Sequence, residues 1–268
     1  MEAIDAVIVR VSPGVHWHAL EDDVVVGRGH ALHRPDGRVF LSVDTWRDDV
    51  FVALAEAMAQ DLPGPLYTVV DDDDREHLGR WSDVGFRDDR REDVYAVPTA
   101  PEATGLGDAR LPAGYRLVTA DEADPDRLGE LVERLRLEVP GSQGWATSPR
   151  PVGGEQRPGL EHRRLHPLVY LVAVHQGGGG GAAEGDYAGL ARIGRAPMPR
   201  LGLIGVLPGY RRRGIARALL AAAFRPLHER GVAQVSAEVD EANPAARALF
   251  ARLGAERIGG AIELVRRP

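Results

Sequence analysis

The chain has 268 residues, enough for two modest domains or one large one, and its 44% hydrophobic and 27% charged residues are ordinary globular usage that excludes a disordered or fibrous chain. The absence of cysteine excludes disulfides, zinc–thiolate centres and thiol nucleophiles and fits a cytoplasmic setting, and with no apolar run of roughly 18 residues and no signal-peptide core the sequence gives no membrane or secretory reading. The net charge of −7 is uneven: residues 1–100 hold 21 acidic residues against ten arginines, a balance of −11, while residues 101–268 hold 19 against 23, a balance of +4, too weak for duplex nucleic acid, so any site for a small phosphorylated ligand belongs in the second half.

In chain order, Val24 to Leu32 and Arg38 to Val43 alternate like a hairpin across Pro35-Asp36-Gly37. Asp49 to Gln60 reads as a helix, Leu66 to Val70 as a strand, and Arg75 to Val84 as a helix ending at Gly85-Phe86. The run Asp71 to Asp74 reads as a solvated acidic cap of that helix rather than a metal site. From Pro98 the chain is rich in breakers and small residues, which predicts a linker over 99–112 between domains at 1–98 and 113–268. Tyr115 to Thr119 then reads as a strand and Asp124-Pro125 as a helix start. Residues 139–165, with nine Pro and Gly, read as a long irregular loop with a short helix at 159–165. Leu168 to His175 and Tyr187 to Ile193 form a strand pair joined by the Gly run 177–186, a hairpin tip because it opens no helix.

Leu201 to Val206 is a short apolar strand, followed by Leu207-Pro208-Gly209-Tyr210-Arg211-Arg212-Arg213-Gly214-Ile215-Ala216 and then by Leu219, Leu220, Phe224 and Leu227 at helical spacing. Small residues at 214 and 216 leave the first helical turn open, so its N–H groups and positive dipole end can meet a diphosphate, with Arg211, Arg212 and Arg213 beside them. Pro226 should bend this helix or end it early. Gln234 to Asp240 is a second strand, with Ser236, Glu238 and Asp240 on its polar face, and Asn243-Pro244 starts a helix through Phe250 to Gly254. Apolar stretches near Ile258 and from Ala261 to Val265 complete an α/β (α+β) fold with a mixed sheet. All 33 basic residues are arginine, which excludes a Schiff-base or P-loop lysine and matches a codon preference.

Val206, Pro208, Arg211, Gly214 and Ala216, together with Asn243, Ala246 and Gly254 after the next strand, resemble the two linked motifs of the GNAT superfamily of N-acetyltransferases. The resemblance covers about residues 114–268 and implies the GNAT fold, a mixed and mostly antiparallel sheet flanked by helices. It also implies acetyl-coenzyme A as cosubstrate, no metal, and direct transfer to an amine. On it, Ile204, Gly205 and Val206 pair with the pantetheine arm and supply the oxyanion N–H, Arg211 to Ala216 hold the diphosphate, and Asn243 and Phe250 complete the cofactor side. Trp145, Arg150 and His175 fall to the acceptor pocket, with a small-molecule amine as partner; a homodimer is left open. The tyrosine that many relatives use as proton donor is Phe250 here, and Tyr210 and Ser236 are weak stand-ins. The strand before the turn has no carboxylate, which leaves Glu238 and Asp240 as bases through water, with Glu238 as an ordinary polar strand residue the alternative; His166 and His175 are further base candidates or structural histidines. A protein or peptide acceptor, and a non-catalytic acetyl-coenzyme A sensor, remain open.

The first hundred residues read as a worn partial copy, in which Val43 answers Val206, Trp81 answers Phe250 and Gly85 answers Gly254. An unrelated small α/β domain is the alternative. The turn after Val43, Asp44-Thr45-Trp46-Arg47-Asp48-Asp49, has no glycine and three carboxylates, which oppose a diphosphate.

Overall fold

Alternating burial in the strands and one-sided burial in the helices sort the chain into two units. In this computed structural model the described residues are 6–12, 15–34, 37–138, 168–177 and 185–268. The predicted helix at 159–165 and most of the 177–186 tip lie outside them. One unit comprises Met1–Glu92 and Gly259–Pro268, the other Asp93–Ile258.

In the first unit, β1 (Val7–Ser12), β2 (His16–Glu21), β3 (Val24–His33) and β4 (Val39–Asp44) form an antiparallel meander. Helix α1 (Asp48–Asp61) leads to β5 (Leu66–Asp71), which pairs parallel with β4, and α2 (Arg75–Asp83) follows. Asp74 caps α2 by accepting from the His77 N–H at 3.0 Å, as the acidic run predicts. Phe51, Leu54, Met58, Trp17 and Trp81 fill the core. The last strand, β12 (Glu256–Arg266), pairs antiparallel with β5 through residues 261–266, and Ile262 and Leu264 enter the same core. The sequence reading kept 113–268 together; apolar burial draws the final ten residues into the first unit instead.

The second unit contains the latter half of β6 (Arg87–Pro98) and the four-residue α3 (Pro101–Thr104) in the segment read as a linker. It continues with β7 (Tyr115–Thr119), α4 (Pro125–Glu138), β8 (Val169–His175), β9 (Asp186–Gly194), β10 (Arg200–Val206), α5 (Ile215–His228), β11 (Gln234–Asp240) and α6 (Pro244–Arg252). The strand order is β6-β11-β10-β9-β8-β7, antiparallel from β7 to β10 and parallel between β10 and β11. Leu131 and Leu135 of α4 pack on one face, and Leu219, Leu220 and Phe224 of α5 on the other.

Contrary to the sequence expectation, α5 runs through Pro226 to His228. The proline lies in the last turn, so only the helix end loses a donor, and buried Leu227 holds that turn to the core. Chain reversal then uses Gly231 at φ +79°, and Val232 donates to the Leu227 carbonyl.

Candidate functional site

The site is built where two parallel strands part. Between β10 and β11 only Arg200↔Ser236 and Leu201↔Ala237 are in register, whereas β10 stays paired with β9 as far as Val206↔Gly189. The β11-facing edge of residues 202–206 therefore has no ladder partner among the described residues. An extended amide-containing ligand can add to such an edge. An irregularity between Leu201 and Leu203 turns Leu203 and Gly205 towards α4. A side chain at Gly205 would meet Leu135 at 2.9 Å, so glycine here lets α4 close on the strand. Ile204 and Val206 point to the α5 layer.

After Val206 the chain makes a 3-10 turn, Pro208–Tyr210, with Tyr210 donating to the Leu207 carbonyl at 2.9 Å. Arg212 at φ +64° and Gly214 at φ +83° then turn the backbone into α5. Gly214 is the N-cap, so no side chain caps the helix, and a Cβ placed on it would meet nothing within 4 Å. The first N–H groups of α5 have no side-chain cap among the described residues, the arrangement that accepts an oxyanion.

The three arginines of the turn are placed differently. Arg211 folds back, its Nε donating to the Val206 carbonyl at 2.9 Å and its Nη2 lying 3.7 Å from Glu138. Arg213 donates to the Tyr115 hydroxyl and the Gly209 carbonyl, each at 3.1 Å. Arg212 is exposed and has no partner among the described residues. Arg217, one turn into α5 and absent from the sequence motif, donates to the Gly105 carbonyl at 2.6 Å.

Asn243 is buried and accepts from the Ala246 N–H at 3.0 Å, so its side chain caps α6. Phe250 is buried and stacks on Tyr95 of β6, ring centroids 6.0 Å apart, while the Tyr95 hydroxyl lies 3.2 Å from Asp93. Buried Asp240 accepts from the Ala242 N–H at 2.7 Å and so shapes the turn after β11. Glu238 is partly buried and ion-paired with Arg200 on the α4 side of the sheet. The structure thus brings Ile204 to Val206 and Arg211 to Ala216 together around one opening, and places Glu238 on the opposite face from α5. His175 packs against Tyr115 and Tyr210, centroids 4.8 and 5.8 Å away, beside the arginine turn. The Tyr210 hydroxyl donates to Asp186 at 3.1 Å, and burial followed by that carboxylate pushes its pKa up. Trp145, Arg150 and His166 lie outside the described residues.

Residues that the sequence reading passed over line the α4 side. Tyr170 of β8 and Arg192 of β9 are register partners, and Arg192 lies over Gly202, where a Cβ would be 3.8 Å from its Nη2. Burial lowers the Arg192 pKa from its ordinary value; nearby Tyr170 opposes that shift, and the charges of Arg136 and Arg200 add to it. Burial pushes the Tyr170 hydroxyl up. An arginine inside the otherwise apolar run Leu190-Ala191-Arg192-Ile193 was the available signal.

Residues 144–255 match the family model of the acetyltransferase (GNAT) family. That stretch is similar to a GNAT acetyltransferase domain. The chain is 31% identical over 170 residues to a mycothiol acetyltransferase of Paenarthrobacter aurescens, a match covering 56% of this chain and 50% of the relative, so the chain spans about half the length of the curated relative it matches. Among solved structures, a GCN5-related N-acetyltransferase from Sphaerobacter thermophilus is similar at 19% identity, covering 97% of this chain and 83% of that one with a TM-score of 0.65. A tandem GNAT protein from the clavulanic acid biosynthesis pathway is similar at 20% identity, covering 94% and 82%, again with a TM-score of 0.65. These likenesses establish the GNAT fold. Among the described residues no helix is long and apolar enough to cross a membrane, and no cluster of three metal-ligating side chains occurs.

Proposed function

We propose that this chain is an acetyl-coenzyme A-dependent N-acetyltransferase that acts on the primary amine of a small molecule, such as an antibiotic, an amino sugar or an amino-acid metabolite. The observation that carries the reading is the uncapped, unobstructed start of α5 directly beside the unpaired edge of β10. Acetyl-coenzyme A supplies an activated thioester. The N–H groups of residues 214–217, with Arg212 projecting next to them, bind its diphosphate. The free edge of Ile204 to Val206 aligns the pantetheine arm, for which Arg211 must release the Val206 carbonyl. A β10 N–H near Val206 stabilises the charge that develops on the carbonyl oxygen as the amine nitrogen attacks and the carbon–sulfur bond breaks. Glu238 accepts the proton lost by the amine, through water. Asp240 is less suited, because its carboxylate serves the turn after β11. Phe250 has no proton to give, so the thiolate leaves unassisted or takes a proton from water. The first unit, with its acidic turn, is a degenerate, non-catalytic partner.

Release of free thiol with a panel of amines tests the reading. Turnover with at least one amine is expected, and Glu238→Gln should lower kcat well beyond any change in acetyl-coenzyme A affinity. Tight cofactor binding with no turnover on any amine would favour a sensor instead.

A further inference from the structure

Arg192 is a half-buried guanidinium with no carboxylate partner among the described residues, and its nearest charged neighbours carry its own sign. Arg200 is paired with Glu238, and Arg136 with Glu133. Among the described residues, the uncompensated positive charge on this face therefore belongs to Arg192. Its guanidinium lies over Gly202, a Cβ there being 3.8 Å from Nη2 and 3.9 Å from Nε, and Gly202 is the first residue of β10 after the register with β11 ends. Tyr170, the register partner of Arg192 on β8, lies near enough for its hydroxyl to interact with the charges of Arg192 and Arg136. A guanidinium withdrawn from water without a counter-ion is costly unless an anion joins it, and its planar fork suits an oxyanion held by two hydrogen bonds.

Resting on the transferase reading above, we propose that the acceptor is an acidic amine whose carboxylate binds Arg192 at the Gly202 end of the strand gap. The spacing along β10 narrows the class further. At about 3.3 Å per residue, Gly202 lies roughly 7–13 Å before Ile204 to Val206, where the thioester is held. The reacting amine and the carboxylate are then separated by several bonds, as in an ω-amino acid or a short peptide, rather than sharing one carbon. A polycationic amine would meet the charge of Arg192 and be repelled.

The test compares ω-amino carboxylates of increasing length with alkyl amines of matching length, using the full chain and acetyl-coenzyme A. The wild type should favour the carboxylate members by about 10- to 100-fold in kcat/KM, the size expected for charge-assisted hydrogen bonds. Arg192→Gln should erase that preference, Arg192→Lys should restore part of it, and KM for acetyl-coenzyme A should not move. A preference that survives Arg192→Gln, or a wild type that favours neutral or polycationic amines, overturns the proposal. If no amine releases thiol, the transferase reading fails separately. Calorimetry of the same carboxylates in the presence of coenzyme A then decides this one: binding lost in Arg192→Gln supports it, and equal or absent binding overturns it.

Discussion

The opening at Gly214 can be tested by filling it in two steps. Gly214→Ala puts a Cβ on a residue at φ +83°, which costs an L-residue about 1–2 kcal/mol of stability. Because that Cβ meets nothing within 4 Å, no packing penalty adds to the strain. Gly214→Glu carries the same strain and also sends a carboxylate into the space read as the diphosphate seat. Two like charges about 4 Å apart at an effective dielectric of 20 repel by about 4 kcal/mol, and salt reduces this at an exposed turn. Thermal denaturation should therefore place the two variants close together, both modestly below wild type. Calorimetric titration with acetyl-coenzyme A should separate them: a small loss for Ala and a further loss on the order of 100- to 1,000-fold for Glu, shrinking as salt is raised. If the Glu variant binds as tightly as the Ala variant, the diphosphate does not sit at the start of α5.

Two further predictions concern the first unit. His16 and His30 are register partners with ring centroids 4.7 Å apart, and burial, followed by the charge of His16, lowers the His30 pKa. A folded pKa below the unfolded value means that protons bind the unfolded chain first, so stability should fall as pH drops from about 7 through 6; thermal scans of His16→Ala should show a shallower fall, and an identical slope would exclude the pair as its source. Leu264, buried on β12 in the core of this unit, should cost about 2–5 kcal/mol when changed to Ala, read by urea denaturation; a loss below about 1 kcal/mol would mean the last strand is dispensable.

Most elements were legible because each carries a local period or a punctuating residue. Tyr115–Thr119 and Gln234–Asp240 match their predicted ends, and the Asn243 cap and the Gly214 turn lie where cap and glycine chemistry place them. What sequence could not supply was partnership at long range. Strands β1 and β2 went unread because their alternation is interrupted by His and Arg, and β6 because its first half is a run of charged residues. The final strand reads as an ordinary end to the second domain, and only the burial of Ile262 and Leu264 shows which core claims it. The same limit applies at the site. Glu238 is visible as a carboxylate on a polar strand face, but its pairing with Arg200 depends on which strands run side by side. Arg192 is visible as a charge in an apolar strand, yet its lack of a counter-ion among the described residues is a property of three neighbouring strands and a helix.

The two units also serve as each other's control. Each places a parallel strand pair with only two residues in register before the strands part, Val39↔Leu66 and Phe40↔Tyr67 in one, Arg200↔Ser236 and Leu201↔Ala237 in the other. Each follows the first strand of that pair with a turn and a helix packed on the sheet. The shared geometry therefore cannot by itself select an anion; the turn chemistry must. In the second unit a left-handed glycine at the N-cap leaves the helix start without a side-chain cap, and Arg212 has no partner among the described residues. In the first, Arg47 occupies the N-cap in an extended conformation, and its guanidinium is taken up by Asp49 at 2.6 Å and Glu21 at 2.7 Å. Those hydrogen bonds raise the Arg47 pKa and hold the Asp49 carboxyl below the usual carboxylate range, so both charges persist, already matched, at neutral pH. An incoming diphosphate would find a cation committed to two carboxylates at α1 and uncapped N–H groups at α5, so the diphosphate seat proposed above belongs to the second unit.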